Sequence, residues 1–208
     1  MEKFNSVTNP KVIENLKLQI SNSRIIDWAT DFNKDAGISY NRLSYILDYW
    51  KNKFSWEKSE RELNSFNQFY FIDKGLKTHF LHLKSPEDNA LPLLLIHGWP
   101  GSIFEFFDLI PLLTNPNENN LLGNQPFDLV IPSLPNVGFS FSKNQKPMDL
   151  VEISDHFVKL MNCLGYKNYF IQGGDLGSFV ASIMSNKDPD SVKGIHLNML
   201  PIPRGLDK

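Results

Sequence analysis

The stretch Gly173-Gly174-Asp175-Leu176-Gly177 constrains the fold of this 208-residue chain more than any other. It follows the apolar run 169–172, which is typical of a buried strand, and precedes residues 178–184, whose apolar positions have helical spacing. A strand that becomes a helix within one residue forces that residue into a strained, left-handed conformation, and flanking glycines leave space for it. The pattern is that of a nucleophile elbow carrying Asp175. An ordinary glycine-rich turn and a phosphate-binding loop are the alternatives.

Composition and charge exclude several classes of protein. Apolar residues make up 41% of the chain, which is enough for a core and argues against general disorder. The 21 basic and 23 acidic residues give a formal net charge of −2, so no nucleic-acid partner is predicted. Cys163, the single cysteine, lies in an apolar helical pattern and is predicted to be a small core residue.

The sequence predicts neither a metal site nor a cofactor. His79 and His82 lie three residues apart in one predicted strand, so they point to opposite faces and are expected to be partly exposed. No segment approaches the roughly 20 apolar residues of a membrane span, and residues 1–6 lack a signal-peptide core. We therefore expect a cytoplasmic chain, with peripheral membrane association left open.

Residues 1–65 are predicted to form a helical region and residues 66–208 a separate α/β core. Apolar residues recur at helical spacing in 12–20 and 43–50, on either side of the irregular stretch Asp27–Ser39. This region is rich in aromatic side chains: Trp28, Tyr40, Tyr45, Tyr49, Trp50, Phe54 and Trp56. We interpret them as packing against a neighbouring layer, and a wall over an active site is the alternative.

The remaining pattern predicts a mixed sheet with helices on both faces. Residues 69–72 and 76–83 predict an antiparallel hairpin. Four later apolar runs predict parallel strands, at 93–96, 127–131, 169–172 and 192–199. Helices alternate with these strands, and two begin at predicted capping boxes: Ser102 with Glu105, continuing through Ile110, and Asp149 with Glu152.

Three segments follow the carboxyl ends of parallel strands, where ligand chemistry gathers in such sheets. They are His97–Pro100, Pro132–Phe139 and the turn at Asp175. A carboxylate at an elbow is a competent nucleophile at a strained sp³ carbon, and it forms an ester that water then cleaves. The oxyanion of that second step needs preorganised donors, which the backbone N–H groups of Trp99 and Leu176 can supply. Gly98 and Pro100 are predicted to shape this loop, and His97 to pack it rather than act as a base.

These motifs resemble the α/β-hydrolase epoxide hydrolases of the microsomal and juvenile-hormone type. The resemblance rests on His97-Gly98-Trp99-Pro100-Gly101-Ser102, on Pro132–Pro135 with Gly138–Ser140, and on Gly173–Asp175. Tyr49-Trp50, Phe54–Trp56, Glu62–Asn64 and Phe69 are similar to that family's N-terminal helical domain. The resemblance implies that Asp175 is the nucleophile, that Trp99 and Leu176 form the oxyanion hole, and that the substrate is a small lipophilic epoxide.

The chain departs from the family pattern at several positions. Leu176 replaces the usual Trp, which affects pocket shape, and Asn136-Val137 replaces the usual Gly-Tyr. The family's cap domain, with two tyrosines that donate to the epoxide oxygen, would follow the strand ending near Met199, and the orienting acid and histidine base would come after it. Residues 201–208 are too few to contain them, so the expectation is a truncated α/β-hydrolase core that is inactive alone.

Two other functions compete with that of an epoxide hydrolase fragment. One is a non-catalytic paralogue that acts as an interaction module, with a partner covering the open sheet edge at 192–199. The other is a haloalkane dehalogenase, which uses the same Asp chemistry but usually has a halide-binding Trp after the nucleophile, where this chain has Leu176.

Overall fold

A computed structural model describes residues 1–25, 37–121 and 124–200. The chain divides into two compact units, one formed by Asn5–Ser65 and the other by Met1–Phe4 together with the chain from Phe66 onward. Trp28, most of the predicted irregular stretch Asp27–Ser39 and the chain after Leu200 lie outside the described residues.

The N-terminal part begins with a strand that the sequence analysis did not predict. This strand, β1 (Glu2–Phe4), pairs antiparallel with the strand at 68–73. The Phe4 ring packs edge-on against Tyr70 and tilted against Phe139, with ring centroids 4.9 and 5.5 Å apart. These contacts involve residues far along the chain, which is why local helical periodicity could not reveal β1.

Three helices follow in the second unit: α1 (Pro10–Ser21), α2 (Tyr40–Asn52) and α3 (Trp56–Asn64). Each begins at a side-chain N-cap, supplied by Asn9, Ser39 and Ser55 respectively. The predicted packing of the aromatic side chains is wrong for α2, because Tyr45, Tyr49 and Trp50 are 56, 46 and 42% exposed. Only part of the surface of α2 is covered, because its partly buried residues lie on one side of the helix: Leu43, Ser44, Leu47 and Lys51.

The main unit contains the predicted mixed sheet, with β1 added as a seventh strand. After β1 come β2 (Gln68–Asp73), β3 (Leu76–Leu83), β4 (Leu91–Ile96), β5 (Phe127–Pro132), β6 (Tyr169–Gly173) and β7 (Val192–Leu197). The spatial order is β1-β2-β3-β5-β4-β6-β7. The strands from β1 to β3 and the β3–β5 pair are antiparallel, whereas β5, β4, β6 and β7 run parallel.

Helices cover both faces of this sheet. The short 3₁₀ helix Ile103–Phe106 precedes α4 (Leu109–Thr114), and α5 (Leu150–Cys163) and α6 (Leu176–Lys187) follow later. Leu94 and Ile96 pack in the core with α5 and α6, while Leu93 and Leu95 point to the α4 side. Both predicted capping boxes form.

The helix predicted to run from Ile103 through Ile110 is interrupted. The 3₁₀ helix ends at Phe106, and α4 begins at Leu109 with Pro111 in its first turn. Proline has no N–H to donate to the carbonyl four residues earlier, and its ring collides with that carbonyl inside a continuous helix. The break therefore places Pro111 where a helix accepts it.

Two predictions about burial are wrong. His79, expected to be partly exposed, is completely buried, because the loop after β5 covers it through Ser133 and Ser140. Cys163, expected in the core, is exposed. The buried face of α5 carries Phe157, Leu160 and Met161, and Cys163 falls off that face at the end of the helix.

Candidate active site

The carboxyl ends of β4 and β6 bring the two glycine-rich segments side by side. Ile96 and Gly173, the last residues of the two strands, are paired in the parallel register. The backbone N–H of Gly174 donates to the carbonyl of Ile96 at 3.3 Å. The loop that begins at His97 and the turn at Asp175 therefore leave the sheet side by side, although they are 78 positions apart in the sequence.

Asp175 has the strained backbone that the sequence predicts for an elbow. Its φ of 49° and ψ of −121° lie at the junction where β6 ends and α6 begins at Leu176. A positive φ is uncommon outside glycine and costs on the order of 1–3 kcal/mol. The turn holds the carboxyl group at the exposed end of the sheet, which suits a group that must reach a substrate.

Three glycines are required here by close backbone approach. A Cβ on Gly173 would overlap the carbonyl of Gly177, and a Cβ on Gly177 would overlap the carbonyl of Ile96. A Cβ on Gly98 would lie 2.5 Å from Cβ and 2.8 Å from Oδ1 of Asp175. The glycine at 98 therefore lets the two loops come within hydrogen-bonding distance.

Two backbone donors hold the Asp175 carboxylate. The N–H of Trp99 donates to Oδ1 at 2.9 Å. This hydrogen bond lowers the pKa of the Asp175 carboxyl, and the backbone N–H of Leu176 contributes in the same direction, because both stabilise the charged form. The two donors come from separate segments, the loop after β4 and the first residue of α6. An oxyanion requires preorganised donors of this kind.

His97 is buried behind this loop, with 1% of its surface exposed. Its Nδ1 lies 2.7 Å from the carbonyl oxygen of Gly98, and its Nε2 accepts from the N–H of Leu134 at 3.0 Å. Burial lowers the pKa of His97, partly offset by the Gly98 carbonyl and by Glu105. Both ring nitrogens thus engage backbone groups, in agreement with the predicted packing role.

A second buried histidine anchors the loop after β5. Nδ1 of His79 lies 3.0 Å from the hydroxyl of Ser133, and Nε2 lies 3.0 Å from Oε1 of Gln68. Ser140 joins them by accepting from the His79 N–H at 2.9 Å and donating to the Ser133 carbonyl at 2.7 Å. Burial lowers the pKa of His79 to about 3, so the ring is neutral.

The structure brings together all the residues that the sequence analysis named around the elbow. Pro100 follows Trp99 through a cis peptide bond, and the Trp99 side chain is 66% exposed. Sequence reasoning named the segment that contains Leu134 but gave this residue no role of its own, and it missed Asn198. The side-chain amide of Asn198 lies against Gly174, where an added Cβ would be 2.6 Å from the Asn198 Oδ1. Their positions at strand ends were the only available signal.

Within 1–25, 37–121 and 124–200, no three His, Cys, Asp or Glu side chains come together as metal ligands could. None of the helices found in those ranges combines the length and apolar character needed to cross a membrane.

The sheet order, the elbow and the paired donors define a protein of the alpha/beta hydrolase fold. Residues 92–204 match the family model of that description. The crystal structure of juvenile hormone epoxide hydrolase from the silkworm Bombyx mori superposes with a TM-score of 0.86 at 29% identity, covering 99% of this chain and 48% of that one.

A second family model fixes the family within that fold. Residues 1–106 match the model described as epoxide hydrolase N terminus, so the chain belongs to the epoxide hydrolase family. It is 38% identical over 205 residues to epoxide hydrolase 1 of Oryctolagus cuniculus, covering 97% of this chain and 45% of that protein. It is 37% identical over 194 residues to juvenile hormone epoxide hydrolase 1 of Ctenocephalides felis, covering 92% and 41%. The chain spans less than half the length of these two relatives.

Proposed function

We propose that Asp175 is the nucleophile of an epoxide hydrolase and that its substrate is a small lipophilic epoxide. The observation that carries the proposal is the hydrogen bond from the Trp99 N–H to Oδ1 of Asp175, at 2.9 Å. Because Oδ1 accepts from the Trp99 N–H, Oδ2 is the oxygen left to attack.

In the first step Oδ2 forms a bond to one epoxide carbon as the bond between that carbon and the epoxide oxygen breaks. The epoxide oxygen takes up a proton, and the product is a hydroxyalkyl ester of Asp175. In the second step water attacks the ester carbonyl carbon and places negative charge on Oδ1. The N–H groups of Trp99 and Leu176 stabilise that charge, and collapse releases a vicinal diol and the carboxylate.

The resemblance implies that two tyrosines of a cap domain donate the proton to the epoxide oxygen and that a histidine is the base for the water. In the family these residues follow the strand that ends here near Met199. The 208 residues by themselves are therefore predicted to release no diol over multiple turnovers. Diol release over many turnovers by the purified 208-residue chain would contradict this prediction. The intact mass of the protein from its own cells shows whether the natural chain is longer. A mass near twice 23.9 kDa would agree with the length of the relatives.

The test of the mechanism is a single-turnover reaction of the native protein with styrene oxide in H₂¹⁸O. We expect ¹⁸O to enter the Asp175 carboxyl, because water attacks the ester carbonyl rather than the epoxide. Asp175→Asn should form no ester, whereas Asp108→Asn, an exposed control in the turn before α4, should react normally. Label found only in the diol would overturn the covalent mechanism.

Two observations bear on the competing functions. The match of residues 1–106 to the epoxide hydrolase N terminus favours an epoxide over a haloalkane as substrate. Release of halide from 1-chlorohexane without diol formation from styrene oxide would reverse that choice.

An interaction module is favoured by an apolar groove of about 840 Å³ on the α4 face, lined by Leu95, Phe106 and Phe170 among others. A 208-residue native protein that co-purifies with a protein covering this groove, and forms no ester, would support it.

A further inference from the structure

The peptide group between Gly98 and Trp99 is held at both of its ends. Its N–H, on Trp99, donates to Oδ1 of Asp175 at 2.9 Å. Its carbonyl oxygen, on Gly98, lies 2.7 Å from Nδ1 of His97. A peptide group is planar, and in the trans form its N–H and C=O point in opposite directions. The contact at the carbonyl end therefore fixes where the N–H points.

The hydrogen bond from Leu134 determines which ring nitrogen of His97 carries the proton. A backbone N–H can only donate, so Nε2, which lies 3.0 Å from the Leu134 nitrogen, must be the acceptor. Because Nε2 accepts, it carries no proton, so the buried ring is neutral. The proton must then be on Nδ1, where it donates to the carbonyl of Gly98.

We infer that His97 is a positioning residue that orients the Gly98–Trp99 peptide so that the Trp99 N–H points at Oδ1 of Asp175. The inference rests on the proposed function, in which that N–H stabilises the oxyanion. Four groups form one directed series: the Leu134 N–H, the His97 ring, the Gly98–Trp99 peptide and the Asp175 carboxylate. Hydrogen bonds in such a series polarise each other, so the ring also strengthens the Trp99 donor.

The alternative orientation of this peptide would be unfavourable for the reaction. If the peptide turned over, the Gly98 carbonyl would face the carboxylate and repel it, and one donor of the pair would be lost. The side chain of Trp99 is largely exposed and Gly98 has no side chain, so packing there does little to prevent such a rotation. His97 and Leu134 supply the restraint from the buried side.

The first experiment reads the His97 ring in the wild-type protein by ¹⁵N NMR at neutral pH. We expect a protonated Nδ1 and an unprotonated Nε2. A protonated Nε2, or a charged ring, would overturn the inference because the Gly98 carbonyl would then have a different partner or orientation. This measurement needs no variant, so it decides the matter even if substitutions at His97 prevent folding.

The second experiment separates the two ends of the ring with two substitutions. In His97→Asn the side-chain NH₂ can still donate to the Gly98 carbonyl, but the acceptor for Leu134 is lost. In His97→Gln the side-chain oxygen can accept from Leu134, but the donor to Gly98 is lost. For His97→Gln we expect an upfield shift of the Trp99 amide proton and an upward shift of the Asp175 pKa, measured by ¹³C NMR of the carboxyl. His97→Asn should stay near wild type in both.

His156→Gln is the matched control, because His156 is another buried histidine held by a hydrogen bond. Its Nε2 lies 3.0 Å from the hydroxyl of Thr78, away from the Gly98–Trp99 peptide in the sequence. It should leave the Trp99 and Asp175 signals unchanged. Equal shifts in His97→Asn and His97→Gln, or none in His97→Gln, would reduce His97 to a packing role and overturn the inference.

These readouts do not depend on catalysis. If no ester forms at Asp175 while the signals behave as expected, the proposed function fails and the positioning of the peptide stands. If ester forms but His97→Gln leaves the Trp99 amide signal and the Asp175 pKa unchanged, the proposed function stands and the positioning role of His97 fails.

Discussion

Close backbone approaches at single glycines build the candidate site. Gly177 faces the carbonyl of Ile96, and Gly98 faces the Asp175 side chain, so each occupies space that any other residue would fill with a Cβ. The polar groups brought together by these contacts are then held by backbone hydrogen bonds. Steric exclusion and hydrogen bonding therefore act at the same few positions.

Gly177→Ala should lower the free energy of unfolding by about 1–3 kcal/mol, the usual cost of overpacking. The added methyl would meet backbone carbonyls of Ile96 and His97, which cannot rotate away as a side chain can. Gly194→Ala is the control, because the nearest atoms are those of the Phe170 ring, at 3.1 and 3.3 Å. Chemical denaturation measures both, and an equal or larger loss in Gly194→Ala would contradict the expectation.

The capping boxes act at the level of whole helices. At α5 the Asp149 side chain accepts from the N–H of Glu152 at 2.8 Å, and the Glu152 side chain accepts from the N–H of Asp149 at 3.0 Å. This helix contributes Phe157, Leu160 and Met161 to the core. A weakened start of α5 therefore affects the core that supports the sheet.

Asp149→Ala should lower the free energy of unfolding by about 1 kcal/mol, within the usual range for loss of an N-cap. Ser39→Ala removes the cap of α2, a helix in which every residue is at least partly exposed. We expect that variant to lose helical order locally, with little effect on the main denaturation transition. Amide hydrogen exchange at the two helix N-termini, measured with the denaturation curves, would show whether this distinction holds.

Buried neutral histidines make the stability of the folded chain depend on pH. Burial lowers the pKa of His156 to about 4; Asp73 raises this pKa by a smaller amount and Lys159 lowers it further. In the unfolded chain the pKa of a histidine is about 6.5. Between these values the unfolded state binds the proton and the folded state does not, so stability is lost as the pH falls from about 6.5 to about 4.

His156→Gln should remove about 2 kcal/mol of the fall in unfolding free energy between pH 7 and pH 5, because that is the share of one such histidine. His79, whose pKa is lowered to about 3, should keep the remaining slope in the same direction. Urea denaturation at a series of pH values in both proteins provides the comparison. Parallel curves across this range would show that His156 is charged in the folded state.

Local patterns in the sequence determined the mixed sheet, the two capping boxes and the strained elbow at Asp175. Apolar periodicity reports burial along one element, and the spacing of a cap or an elbow involves residues only a few positions apart. For the same reason the glycines of the elbow could be assigned a steric role before the fold was known.

Tertiary structure decided the features that depend on residues distant in sequence. The Trp99–Asp175 bond joins residues 76 positions apart, and the Leu134–His97 bond joins residues 37 apart. Likewise, the burial of His79 and the exposure of Tyr45 depend on which segments cover them, and no local spacing contains that information. The sequence thus placed the carboxylate on an elbow, but only the packing of three loops at the end of the sheet set the direction of the N–H groups around it.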